Sequence, residues 1–347
     1  MGEPDPDLWP RTLQRLSARE ALSADEAAEA MRAIMSGDVT PTQVGGFLMA
    51  LRTKGESVDE LDGLARAALE FARPVSAQAP VLDTCGTGGD RSGSFNISTV
   101  SSIVAAGAGA LVAKHGNRAA SGLCGSADLL EALGVRIDLD ATGVERCLAE
   151  ASIGFMFAPV FHPAFGPAAP VRRELRVPTS FNFLGPLTNP ARPSAQVVGV
   201  SDERMLPLMA EVLARRGTRA KLVRGEDGLD ELTTTGPSTV LDVRGGEVWE
   251  TSLDPATYGI EKASREDLRG GDAAEAARIA RAILAGEEGP RRDVVLLNAG
   301  AALEVAGAAA DLHEGIALAA ASIDDGKAAR TLERWVAVST AVTGGLE

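Results

Sequence analysis

An α/β fold, with a small N-terminal helical domain and a larger domain built on a central, mostly parallel sheet, is the architecture this 347-residue sequence predicts. Three observations predict it. The N-terminal stretch carries clear helix start signals and no strand pattern. From Val81 onward, short apolar runs alternate with helical segments of about ten residues, the rhythm of βαβ crossovers. Between Pro159 and Pro193 frequent prolines break that alternation, and the segment reads as a crossover back to the helical domain. The expected division is a helical domain at 1–78, with a returning segment at about 160–192, and an α/β domain from 79–159 and 193–347.

The N-terminal helices announce themselves by their caps. Ser23 with Glu26 and Ser57 with Glu60 are capping boxes, in which a hydroxyl and a carboxylate reciprocally satisfy orphan backbone N–H groups. Thr40 before Pro41 is an N-cap with proline at the first helical position, and Gly55 is a natural stop. In the fourth helix Leu61, Leu64, Ala65, Ala68 and Ala72 share one face. Beyond Pro80 the predicted order is a strand at Val81 to Cys85, a helix from about Ser98 to Gly107 and a strand at Leu111 to Ala113. A helix at Ser126 to Leu133, a strand at Val135 to Leu139, a helix at Thr142 to Ala151 and a strand at Gly154 to Ala158 follow. A helix at about Ala168 to Leu175 carries Arg172 and Arg173. The alternation then resumes with Gln196 to Val200, a helix at about Glu203 to Arg216, and Ala220 to Val223. Thr239 to Val243 and Glu247 to Thr251 form a hairpin around Gly245-Gly246, and the Ala-rich remainder supplies helices to cover the sheet.

Composition narrows the function classes. Thirty-four basic residues against forty-eight acidic ones give a net charge of −14, which argues against passive binding to nucleic acid or anionic membranes. Aromatics are 4% with a single tyrosine, too few for a base-stacking platform. The three cysteines, Cys85, Cys124 and Cys147, are odd in number and lack CxxC spacing, so neither a disulfide framework nor a structural zinc site is expected, and a reducing cytoplasm fits. The acidic N-terminus does not read as a signal peptide, and the run from Ile103 to Ala113 is too short to span a bilayer.

Four runs carry the chemistry. The first is Asp83-Thr-Cys-Gly86-Thr-Gly88-Gly89-Asp90-Arg-Ser-Gly93-Ser94-Phe-Asn96-Ile97-Ser98-Thr99, between a strand and a helix. Its glycines let successive N–H groups face one concavity, and the helix start adds its dipole, which suits phosphate or pyrophosphate. It matches neither the dinucleotide fingerprint nor a Walker A loop, and the bland alternative is a tight strand-to-helix turn. Asp90 there makes sense if the ligand also carries hydroxyls or a metal. The second run, Lys114-His115-Gly116-Asn117-Arg118-Ala-Ala-Ser121-Gly122, follows the next strand, at the strand ends where open α/β sheets bind ligands. Lys114 and Arg118 supply charge for phosphates and Asn117 and His115 neutral hydrogen bonds, the bland alternative being a loop histidine and a solvated lysine. The third, Gly228-Leu-Asp230-Glu231-Leu, places adjacent carboxylates in a loop, able to reach a hydrated divalent cation; an acidic surface turn is the competitor. The fourth runs from Pro159 through His162, Phe165 and Arg172 to Asn189-Pro190. Two arginines, Arg172 and Arg173, on an apolar, aromatic-framed helix suggest a guanidinium facing inward to hold a carboxylate bidentately; a surface ion pair with Glu174 is the competitor and accounts for one of the two. Cys85, with no base beside it, reads as a buried apolar residue rather than a nucleophile.

Together GTGGD, KHGNR, NFLGPLTNP and GLDELT, in this order and over nearly the whole chain, resemble the anthranilate phosphoribosyltransferase family. The resemblance implies the nucleoside phosphorylase/phosphoribosyltransferase-like fold, a cytoplasmic homodimer joined through the helical domain, and a role in tryptophan biosynthesis. It implies that Gly86, Gly89, Asp90, Ser94, Asn96, Ile97, Ser98 and Thr99 hold phosphoribosyl pyrophosphate, together with Ser126 and the loop Lys114, His115, Gly116, Asn117, Arg118, Ala119, Ala120, Ser121 and Gly122. Ser98, Asp230 and Glu231 would ligate Mg²⁺ as the cofactor. Gly86, Asn117 and Arg172 would contact anthranilate, with His115, Pro159 and Phe165 lining its route. Two departures stand out: Gly122 replaces a usual serine, and Ser94 a usual threonine. Rival readings are a pyrimidine nucleoside phosphorylase of the same fold, a relative that has lost catalysis and binds nucleic acid, and a paralogue serving a secondary pathway.

Overall fold

A computed structural model describes residues 5–119 and 123–342. Its four N-terminal helices are α1 (Leu8–Ser17), α2 (Ala24–Ser36), α3 (Pro41–Lys54) and α4 (Val58–Glu70). The capping boxes at Ser23–Glu26 and Ser57–Glu60 are both formed, and Thr40 adds a third with Gln43. Gly55 ends α3 at φ 90°, and Leu61, Leu64, Ala65 and Ala68 are buried on one face of α4 while Ala72 lies just past the helix.

The alternating part contains β1 (Leu82–Gly86), α5 (Ile97–Gly107), β2 (Val112–Gly116), α6 (Ser126–Leu133), α7 (Ala141–Ala151), β3 (Ile153–Phe157) and the single-turn α8 (Ala158–Phe161). Then come α9 (Ala168–Leu175), β4 (Ala195–Gly199), α10 (Met205–Arg215), β5 (Arg219–Gly225), β6 (Ser238–Arg244) and β7 (Glu247–Leu253). The chain closes with α11 (Ala273–Leu284), α12 (Pro290–Ala306), α13 (Leu312–Asp324) and α14 (Lys327–Thr340). The strands form one sheet in the order β3-β2-β1-β4-β5-β6-β7. The first five are mutually parallel, and β6 and β7 add an antiparallel hairpin at one edge. Chain order reverses across β1, with β2 on one side and β4 on the other, so the carboxyl end of β1 is the crevice where ligands of such sheets bind.

Alternation along the central strands supplies two cores. Val197 and Val223 face one that includes α5, α7, α12 and α14, whereas Val198 and Leu222 face another shared with α2, α3, α4 and α10. Ala168 and Val171 of α9 join the second core, and α9 packs on α3. On the first side α12 and α13 touch backbone to backbone: a Cβ on Gly315 would lie 2.3 Å from the Gly300 carbonyl oxygen.

One predicted strand is absent. Val135, Ile137 and Leu139 are buried as the alternation requires, yet the segment pairs with no strand among the described residues. Instead the Arg136 N–H donates to Ser339 Oγ (3.1 Å) and its guanidinium to the Val342 carbonyl (3.0 Å), so the C-terminal helix and the residues just beyond it supply the partners that a ladder would have given.

Candidate active site

The first turn leaves β1 at Gly86, where only glycine fits: a Cβ would stand 2.4 Å from Asp230 Oδ2. Gly88 (φ 68°) and Gly89 (φ 84°) then take the left-handed conformation that makes a concave row of N–H groups. The Gly88 N–H donates to Asp230 Oδ2 at 2.7 Å, and the N–H of Ser98, in the first turn of α5, donates to Glu231 Oε1 at 3.1 Å. The acidic turn therefore contacts both the glycine turn and the start of α5. On the far limb, Ser94 pairs with Arg269 and the Phe95 N–H donates to the Leu268 carbonyl (3.1 Å). Asn96 donates through Nδ2 to the Cys124 carbonyl (3.1 Å), tying this loop to the end of the next. Ile97 and Thr99 are buried in α5, which leaves only their backbone to a ligand.

Asp230 and Glu231 are both buried at the sheet end. Gly199 of β4 admits them, since a Cβ there would overlap the Asp230 carbonyl oxygen. Asn298 of α12 fixes the turn from below, accepting from the Leu232 N–H (3.0 Å) and donating to the Leu232 carbonyl (2.8 Å). Burial, with Asp90 and Glu231 nearby, holds the Asp230 carboxyl well above the usual range. Burial pushes Glu231 up to about 7, and Lys114 works against that rise. Asp90 Oδ2 is buried with no hydrogen-bond partner among the described residues. Three crowded carboxylates and an orphaned oxygen fit a divalent cation. Among the described residues no group of three or more His, Cys, Asp or Glu side chains could hold a metal ion by itself. The donor set suits Mg²⁺, which takes one or two carboxylates and completes its shell with water and phosphate oxygens.

The second loop differs from the expectation in the direction of its charges. Lys114 is buried beneath the first turn, its ammonium donating to the Thr84 carbonyl and lying 3.5 Å from Ser98 Oγ. Its charge offsets the buried Asp83 and Glu231. Arg118 points to α6, paired with Asp128 (2.7 Å) and Glu131 (2.5 Å) and lying over the Phe157 ring. Asn117 Oδ1 accepts from the Arg118 N–H (2.7 Å), and Ser126 Oγ donates to the Asn117 carbonyl (3.1 Å). Gly116 leaves room for that serine, whose Oγ would lie 2.4 Å from a Cβ. Ala120, Ser121 and Gly122 lie outside the described residues.

His115 opens an aromatic wall. Its ring lies 5.1 Å from that of His162, which meets Phe165 edge-on at 5.6 Å; Phe165 meets Phe181 at 5.7 Å, and the Arg172 guanidinium sits 5.8 Å over Phe181. Pro159 opens α8 at the end of β3. Burial lowers the Arg172 pKa, and among the described residues neither Arg172 nor Arg173 pairs with a carboxylate, so the expected ion pair with Glu174 is not formed. A half-buried guanidinium of this kind has the chemistry to hold a carboxylate bidentately. Burial and His162 push His115 down to about 3, and burial pushes His162 down to about 4. With Nδ1 3.1 Å from the Gly185 carbonyl, a neutral His115 carries its proton on that nitrogen and presents Nε2, buried and without a partner among the described residues, as an acceptor.

Depressed histidine pKa values have a stability consequence. Both imidazoles must stay neutral in the folded chain, so their contribution is present above the unfolded value near 6.5 and is lost as pH falls through it toward 4. His162→Asn is expected to flatten the fall in Tm between pH 7 and pH 4.5 relative to the wild type. Parallel Tm curves would show that His162 does not titrate on unfolding.

His162, Phe181, Asp83 and Asn189 complete this region without having been singled out for a role. Asp83 is buried, accepting from the His115 N–H (3.3 Å) and from Asn189 Nδ2 (2.8 Å), which also donates to the Ala113 carbonyl (2.8 Å). A carboxylate within the apolar run Val81 to Cys85 was the available signal. Cys85 is buried, and burial raises its thiol pKa well above the usual value, as befits a core residue.

Residues 10–72 match the family model "Glycosyl transferase family, helical bundle domain", and residues 78–329 match "Glycosyl transferase family, a/b domain". An anthranilate phosphoribosyltransferase of Arthrobacter sp. (strain FB24) is 54% identical over 339 residues, covering 96% of each chain. The chain belongs to the anthranilate phosphoribosyltransferase family. The crystal structure of the Thermus thermophilus anthranilate phosphoribosyltransferase is 46% identical, with a TM-score of 0.90 over 95% of this chain and 99% of that one. The Saccharomyces cerevisiae anthranilate phosphoribosyltransferase in complex with PRPP and Mg is 28% identical, with a TM-score of 0.90 over 98% of this chain and 100% of that one. The resemblance carried by the four sequence runs and the expected fold class are thus both borne out. No helix among the described residues is long and apolar enough to cross a membrane.

Proposed function

We infer that this chain transfers the phosphoribosyl group of phosphoribosyl pyrophosphate to the amine of anthranilate, giving N-(5-phosphoribosyl)anthranilate and pyrophosphate in tryptophan biosynthesis. The observation that carries the reading is the convergence of the glycine turn and the Asp230–Glu231 turn at the end of β1, beside a wall that ends in an arginine with no carboxylate partner among the described residues.

In this reaction a C1–N bond forms as the C1–O bond to pyrophosphate breaks, and the amine loses a proton. Positive charge builds on the ribose and negative charge on the leaving group. Catalysis therefore calls for fixed dipoles at the pyrophosphate and accurate placement of the amine, with no covalent nucleophile. The glycine turn, from Gly86 through Gly89, and the start of α5, from Asn96 through Thr99, are assigned to the diphosphate; Ser94, Ser126 and the loop from Lys114 to Gly122 complete the sugar-phosphate site. Lys114 acts from beneath, as the buried counter-charge. Ser98, Asp230 and Glu231 are assigned to Mg²⁺, which when bound neutralises charge on the pyrophosphate oxygens. Arg172 holds the anthranilate carboxylate, Gly86 and Asn117 bound the acceptor site, and His115, Pro159 and Phe165 line it. An aromatic amine is neutral at pH 7, so His115 Nε2 need only accept a hydrogen bond from it and orient its lone pair.

We further propose that the chain works as two units, 1–78 with 160–192, and 79–159 with 193–347, as a cytoplasmic homodimer joined through the helical unit. The decisive experiment follows the loss of anthranilate fluorescence with the purified chain. Turnover that requires both phosphoribosyl pyrophosphate and Mg²⁺ is the expected result. Phosphorolysis of thymidine or uridine without anthranilate turnover would instead establish a nucleoside phosphorylase.

A further inference from the structure

The Gly88–Gly89 peptide sits at the tip of the phosphate turn with glycine on both sides. Glycine resists neither sign of φ, so nothing steric in the turn itself stops this peptide plane from rotating. Its orientation matters because a trans peptide points its carbonyl and its N–H in opposite directions. In one orientation the Gly89 N–H faces the anion; in the other, the Gly88 carbonyl oxygen would face it and repel it.

Two hydroxyls hold the Gly88 carbonyl: Thr87 Oγ1 donates to it at 3.3 Å, and Ser201, at the neighbouring strand end, makes the shorter contact. Ser201, two residues beyond the end of β4, donates from Oγ to the Gly88 carbonyl at 2.7 Å. Ser201 is itself held in place: its N–H donates to Thr87 Oγ1 (3.0 Å), and its carbonyl accepts from Arg224 Nε (3.3 Å). The Thr87 N–H donates to the Gly199 carbonyl (2.9 Å), and the Thr87 and Ser201 hydroxyls lie 3.1 Å apart. The Gly88 carbonyl is thereby turned toward β4, and the Gly89 N–H makes no hydrogen bond among the described residues.

We propose that Ser201 is a positioning residue for the phosphoribosyl pyrophosphate site: by holding the Gly88 carbonyl, its hydroxyl aims the Gly89 N–H at the diphosphate. The inference rests on the reading of the glycine turn as the diphosphate site. Ser201 touches no substrate, and its effect passes through one peptide plane.

The test measures binding of inorganic pyrophosphate with Mg²⁺ by calorimetry, and steady-state kinetics, on the full chain as wild type, Ser201→Ala, Ser201→Thr and Ser201→Cys. Ser201→Ala is expected to raise the pyrophosphate Kd and the phosphoribosyl pyrophosphate KM about three- to tenfold, the range of one net hydrogen bond. The anthranilate KM at saturating phosphoribosyl pyrophosphate stays within about twofold. Ser201→Thr, which keeps the hydroxyl, restores both values, and Ser201→Cys, a weak donor of similar size, falls between and serves if the alanine variant does not fold. A merely structural role would lower Tm and raise both substrate KM values together, and that pattern overturns the proposal. Equal pyrophosphate affinity in wild type and Ser201→Ala overturns it while leaving the diphosphate reading intact. Failure of the wild type to bind pyrophosphate overturns both.

Discussion

Arg172→Ala is expected to raise the anthranilate KM by about ten- to a hundredfold while the phosphoribosyl pyrophosphate KM stays within about twofold. The size follows from the loss of a charge-assisted, bidentate contact, worth about 1.5–3 kcal/mol, at about 1.4 kcal/mol per decade. The selectivity follows from position: Arg172 lies at the far end of the ring wall that starts at His115 and has no carboxylate partner among the described residues. Arg172→Lys keeps the charge but loses the planar fork, so it recovers only part of the affinity. Steady-state kinetics with each substrate varied in turn provide the measurement. Equal rises in both KM values would remove Arg172 from the acceptor site.

Asp230→Asn is expected to move stability and activity in opposite directions. Asp230 is buried beside Asp90 and Glu231, and burial already disfavours its ionised form. An amide removes one of three crowded charges and still offers an oxygen to the Gly88 N–H. The cation-free protein should therefore gain stability, read as a Tm rise of a few degrees in the presence of a chelator. Turnover should fall at least about a hundredfold, because the site would lose one of the carboxylates proposed to hold the cation that neutralises the leaving pyrophosphate. A variant that is less stable than the wild type in chelator, or that retains most of its activity, would refute the assignment. Sites that keep like charges together against their own stability are the expected sign of function.

The features legible in the sequence were those that depend on near neighbours. The helix caps at Ser23, Thr40 and Ser57 formed because each needs only a residue three positions away. The strand alternation led to the sheet for the same reason, since side-chain period is local. The glycine turn and the Asp230–Glu231 pair were visible as unusual residue types at strand ends. What could not be read depends on distant partners. Val135 to Leu139 has the alternation of a strand, but Ser339 of α14 and Val342 just beyond it, far later in the chain, take the hydrogen bonds of Arg136. Lys114 looks like a solvent-facing phosphate ligand until Thr84 and Ser98 enclose it. The wall of His162, Phe165 and Phe181 has no periodic signature, because separate single-turn 3₁₀ segments and the loops around them, rather than one long helix or strand, bring its rings together.

Asn298 gives the scaffold a direct line to the chemistry. It belongs to α12, whose Gly300 is pressed against α13, and through two hydrogen bonds it holds the Leu232 peptide next to the buried acids Asp230 and Glu231. A core defect anywhere along that helix, too mild to unfold the chain, would still tilt the Leu232 peptide. On the proposed reading of this turn, damage to the interior would thus first be felt as weakened grip on the diphosphate donor, before the protein melts.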